Sequence, residues 1–276
     1  MKIIDTYNDV VSRFQDKPFE MPLWRSYIAN ISPALLDKVE GDAKKYDLDE
    51  QIIPTINKAL CDGKKLKQLH DSFIYATNDL AKRCREKFNQ DLDVTIILYL
   101  GLCNGAGWAT TLDGQKVVLL GIEKIIELDW CDRESLTTLI YHELGHIWHH
   151  INGNLYCKEN GIEAKSLWQL YQEGIAMYCE QTLCDDFNYY HQDKNGWLKW
   201  CMENEISIKN EYLRRVESSE STQDFFGDWC SYLGYSDVGY FLGCQYIKYL
   251  LKKYTINEIA NIDFPTLLEE FHKYNI

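Results

Sequence analysis

A chain of 276 residues, 46% hydrophobic and 26% charged, has the composition of a folded protein with a substantial core and excludes a disordered one. Its formal net charge of −13 argues against a nucleic-acid partner, whose phosphates call for Lys and Arg, and against docking on an anionic membrane. Ten cysteines occur with no CxxC pair, so they read as small buried residues in a reducing compartment and not as a disulfide framework.

Residues 1 to 90 read as helices. "YNDVVSRFQ", "SPALLDKVEGDAKKY" and "KKLKQLHDSFIYATNDLAKRCREKF" carry apolar residues at helical spacing. In the last of these, Leu66, Leu69, Phe73, Leu80 and Cys84 fall near one face. Pro18, Pro22, Pro33 and Gly63 punctuate the connections, and Pro54 suits the first turn of a short helix. The N-terminal "MKIIDTYNDVVSRF" lacks the apolar run of a signal peptide, and the longest apolar stretch, "VTIILYLGL", is too short to span a membrane. The expectation is a soluble, cytoplasmic protein.

The texture then changes. Residues 93 to 102, "DVTIILYLGL", are β-branched and apolar and predict a buried strand. Residues 104 to 122 predict two more, with Asp113-Gly114 as a hairpin turn between "WATTL" and "KVVLL". From residue 133 onward the pattern is helical, over 133–151, 164–186, about 194–216, 237–254 and 264–274. The fold class expected is α+β: mostly helical, with a small, mainly antiparallel sheet ahead of the helix at 133–151. A helical region over 1–90 and a catalytic region over 91–276 are expected to form one compact unit.

The helix at 133–151 contains His142, Glu143 and His146. Positions i and i+4 stack on one helix face, so both imidazoles can turn to one metal ion. Glu143 lies about 100° round the helix from His142, beside such an ion, where a general base for water belongs. Leu136, Leu139, Ile140, Leu144 and Ile147 give the helix an apolar flank. Gly145 is a poor helix former, about 1 kcal/mol worse than Ala, and points to a close neighbour.

A third ligand is needed. His149 and His150 continue the same helix, where a straight axis does not bring them round to the ion; histidine near a helix end suits the dipole instead. The next helix offers Glu173, followed by Gly174 and Ala176, small residues that let this helix lie close against the first, with Glu159, Glu163 and Glu180 as other acids in the region. Glu123, in "LLGIEKI", reads as a solvated strand-end acid, with a place in the cleft as the alternative.

The sequence HELGH over 142–146, followed by "QEGIA" over 172–176, resembles the gluzincin zinc metallopeptidases, whose third ligand is a glutamate in such a setting on the next helix. The likeness spans roughly residues 94 to 183. It implies a zincin-like, thermolysin-like catalytic core holding Zn²⁺ by His142, His146 and Glu173. It also implies hydrolysis of peptide bonds by water that Glu143 activates. One turn after Glu173, where thermolysin-like enzymes carry an aspartate, this chain has Met177. The resemblance further implies an edge strand that binds substrate backbone, for which Gly105, Gly107 and Trp108 are candidates. It also calls for a residue that stabilises the oxyanion. Tyr240, beside Gly239 at the start of a helix, is preferred over Tyr232, Tyr235 and His191. A deformylase-like hydrolase with Cys103 as third ligand, and a catalytically silent zinc protein that holds a partner in its cleft, are the alternatives.

Overall fold

The computed structural model describes every residue except 228, 275 and 276. The chain divides into two compact units, Met1–Glu143 and Leu144–Ile276. The first holds β1 (Lys2–Asp5), α1 (Tyr7–Phe14), α2 (Met21–Ile31), α3 (Pro33–Ala43), α4 (Ile53–Leu60), α5 (Gly63–Asn78) and α6 (Leu80–Phe88). It continues with β2 (Thr95–Tyr99), β3 (Gly107–Leu112), β4 (Gln115–Gly121), α7 (Ile122–Glu127) and the start of α8 (Arg133–Asn152). The second takes in the rest of α8, then α9 (Ile162–Cys184), α10 (Trp197–Glu203), α11 (Glu205–Glu217), α12 (Val238–Leu250), α13 (Ile256–Ala260) and α14 (Phe264–Tyr274). The division thus falls inside one unbroken helix.

The α+β class holds, with the helical majority and, among the described residues, the one small sheet that the pattern predicts. Pro22, Pro33 and Pro54 each sit in the first turn of a helix, where a missing N–H costs no hydrogen bond. Leu66, Leu69, Phe73, Leu80 and Cys84 are all buried, though the helix that carries them breaks at Asp79 into α5 and α6.

The sheet is a correction. Its strand order is β1-β2-β4-β3. β1 and β4 both run parallel to β2, and only the β3–β4 hairpin is antiparallel. Two features of the chain produce this. A four-residue strand at the N-terminus, too short to carry a period, adds an outer parallel partner. After β2 the chain also crosses to the far edge to lay down β3, then turns back so that β4 inserts beside β2. The turn itself is as expected. Leu112 pairs with Gln115 across Asp113 and Gly114, and both turn residues have positive φ, 47° and 79°. The central strands β2 and β4 are buried on both faces and read as continuous apolar runs, as parallel strands do.

The connection from β2 to β3 is tied down by a buried carboxylate. Glu123, in the first turn of α7, is completely enclosed. Its oxygens accept the amides of Gly101 and Cys103, each at 2.9 Å. It is neither a solvated acid nor one that lines an open cleft. Burial pushes its carboxyl up from the usual range, against those amides, which favour the charged form. Across the same turn, a Cβ at Gly121 would lie 2.5 Å from the Gly105 carbonyl oxygen, so that glycine supplies the space for a backbone crossing.

In the second unit, α9 is the central helix. It crosses α8 where Gly145 meets Ala176: a Cβ on Gly145 would lie 2.8 Å from the Ala176 Cα. It crosses α12 where Gly174 meets Gly243, each against the other's backbone. Gly174 therefore serves the opposite helix from the one its neighbour Ala176 serves, because two residues are about 200° apart on a helix. No helix among the described residues is long and apolar enough to cross a membrane, and the ten cysteines are present as thiols.

Candidate metal centre

The Gly145–Ala176 crossing sets the site. His146 follows Gly145 directly, and Glu173 lies one turn before Ala176 on the same face of α9. Their side chains meet, with His146 Nε2 3.1 Å from Glu173 Oε2. His142, one turn back on α8, completes a group in which His142, His146 and Glu173 each offer one ligand atom, all within 4.8 Å of one another. His142 is buried, while His146 and Glu173 are half-buried.

The donor set fits zinc. Two imidazoles and one carboxylate are ligand types that it accepts, and two ligand atoms on a tetrahedral ion stand about 3.3 Å apart. The 3.1 Å between His146 and Glu173 is close to that spacing. Three such side chains would leave a fourth tetrahedral position open. Of the other acids in the region, neither Glu159 nor Glu163 joins this group, and Cys103 joins none. The Cys103 thiol is buried near the Ile52 carbonyl, and burial pushes its pKa well up, away from the thiolate that ligation needs.

Glu143 is buried and turned toward β3, where its Oε2 accepts the Ala109 amide at 2.7 Å. Gly107 lies directly beneath, and any Cβ there would collide with the Glu143 carboxylate. Trp108 faces elsewhere, its ring under the Lys38 ammonium at 5.1 Å. Gly105 belongs to the turn before the strand, with φ +140°.

A second group, not anticipated as a unit, consists of His142, Glu180 and His191, again within 4.8 Å of one another. All three are buried, and His191 Nδ1 stands 2.8 Å from Glu180 Oε2. The signal for Glu180 was in the spacing: it follows Glu173 by seven residues, two helical turns, and so shares its face of α9. His191, which the sequence offers only as an alternative oxyanion donor, reaches Glu180 from the loop after α9, a pairing that nothing local announces. Tyr240, in the first turn of α12, packs edge-on against His191, with ring centroids 6.4 Å apart, and against Phe226.

His149 and His150 join neither group. His150 packs against Tyr156. His149 is not a charged residue at a helix end, as the dipole argument expects. It is completely buried, edge-on to Tyr171, and burial pushes its pKa down to about 3. The unfolded chain takes up this proton near pH 6.5, and the folded one only near 3, so the stability present above 6.5 is lost as pH falls between those values. The expected slope is about 1.4 kcal/mol per pH unit. Thermal unfolding of His149→Phe from pH 6.5 to 4 is expected to show a shallower acid limb than wild type. An identical limb would refute the neutral buried state.

No family model, no curated protein and no solved structure matches the chain. The functional reading therefore rests on the residues and their geometry.

Proposed function

We propose that the protein is a zinc-dependent metallopeptidase of gluzincin type, with a zincin-like catalytic core. The observation that carries this reading is the meeting of His142, His146 and Glu173 around one point, with Glu143 next to His142 on the same helix. A closed structural site has no use for such a base.

A zinc ion held by these three side chains would supply a Lewis acid that lowers the pKa of water to about 7 and polarises a carbonyl. Glu143 takes a proton from the attacking water and delivers it to the leaving amine. β3 is an edge strand of the sheet, which suits it to bind an extended peptide backbone, with Gly105 and Trp108 nearby and Gly107 beneath the Glu143 carboxylate. Tyr240 is the proposed donor to the developing oxyanion, with His191 beside it. Glu180 takes the orienting part that Met177 leaves open. It shares one group with His142, whose second nitrogen it would hold once the first ligates the ion. The substrate is a peptide or protein, and the thiols suit a cytoplasmic setting.

The test is metal content and hydrolysis on the same sample. Protein purified without chelator is expected to hold one zinc per chain and to cleave members of a broad peptide library. A tight chelator should abolish cleavage and zinc should restore it. A zinc-loaded chain that cleaves nothing would overturn the peptidase reading in favour of a silent zinc protein. A chain with no affinity for zinc would overturn both.

A further inference from the structure

We propose that the backbone of β3 around Gly107 and Ala109 is a seat that positions the Glu143 carboxylate, so that the Ala109 amide serves the general base and not the substrate. The role of Glu143 as base rests on the function proposed above; the seat itself is a matter of geometry.

Among the described residues β3 pairs with β4 alone, so one side of its backbone is unclaimed by the sheet. In an antiparallel strand the amide and carbonyl of alternate residues point to the same side. Gly107, Ala109 and Thr111 thus turn their polar groups to that open edge. The middle one is taken by Glu143 Oε2, at 2.7 Å, a distance typical of a charge-assisted bond.

The glycine before it explains how the carboxylate gets so close. Gly107 has no positive φ, so its backbone conformation is one that other residues adopt. Space is what requires glycine: a Cβ would run into Oε1, Cδ and Cγ of Glu143. Both ends of the strand are fixed. The Asp113-Gly114 turn holds one end. At the other, Glu123 holds the amides of Gly101 and Cys103, and the Gly105 carbonyl lies against Gly121. A carboxylate bonded to such a strand has one oxygen pinned by a rigid donor and its stem confined against Gly107. That is the preorganisation a proton shuttle needs. A peptide laid along β3 therefore finds the Ala109 amide already engaged and pairs with the strand on either side of it.

Two measurements on the zinc-loaded full chain test this. The first is amide hydrogen exchange at Ala109, in wild type and in Glu143→Ala. Exchange at least tenfold faster in the variant is expected; equal rates would overturn the seat. This readout needs no enzymatic activity, so it stands even if the chain proves not to be a peptidase. The second is Gly107→Ala, whose methyl collides with Oε1, Cδ and Cγ of Glu143 and so pushes the carboxylate off its seat. It is expected to lower kcat tenfold or more with KM within twofold, zinc content unchanged and the melting temperature near wild type. A raised KM with unaltered kcat would assign Gly107 to substrate binding and overturn the proposal.

Discussion

Glu143→Gln is expected to keep its zinc and lose its turnover. Glutamine has the shape of glutamate, and its amide oxygen can still accept the Ala109 N–H, so the local packing around β3 should survive. It cannot take a proton from water. General-base catalysis contributes typically 10²- to 10⁴-fold, so kcat is expected to fall by at least about 100-fold. KM should change little, because the lost interaction belongs to the transition state. Glu143 is not one of the three grouped ligand side chains, so metal affinity should stay within a few-fold of wild type. Steady-state kinetics beside metal analysis of the same preparation decides the matter. Turnover within tenfold of wild type would sink the general-base role, and loss of zinc would mean that Glu143 is itself a ligand.

Glu173→Ala should do the reverse and strip the site. Glu173 supplies the only carboxylate in the group with His142 and His146. Changing a residue that merely orients a ligand costs about 10- to 100-fold in affinity, so removing a ligand is expected to cost more than 100-fold. The half-buried side chain contacts His146 and lies outside the helix crossing at Gly145 and Ala176, so the zinc-free protein should unfold at close to the wild-type temperature. Zinc titration against a competing chelator reads the affinity, and thermal unfolding in excess chelator reads the fold. A variant that retains wild-type affinity would place the third ligand elsewhere, with the buried Glu180–His191 pair next to be tested.

Much of this site can be read in one dimension because a helix converts spacing into direction. Positions 142 and 146 share a face whatever surrounds them, position 143 is turned from them, and 173 and 180 share a face of the next helix. The Asp113-Gly114 turn is local in the same sense: two residues that accept positive φ dictate a two-residue hairpin. The apolar stripe from Leu66 to Cys84 is buried as its period requires. These features depend on contacts within a few residues, and the chain alone determines them.

Tertiary structure decided what depends on partners distant in sequence. The sheet is mixed because β1, contributed from the N-terminus, and β4, returning from the edge, both align with β2; no property of a strand names its neighbour. Glu123 ends up enclosed because the turn at residues 101 to 103 folds back to give it two amides. Gly174 meets α12 and not α8 because the crossing partners of α9 are set by the packing of whole helices. His149 is neutral and buried because Tyr171 closes over it, and His191 reaches Glu180 through a loop whose path no short-range preference specifies. The sequence by itself determined which side chains share a face. Only long-range packing, which offsets the entropy of closing each loop, could determine which faces meet.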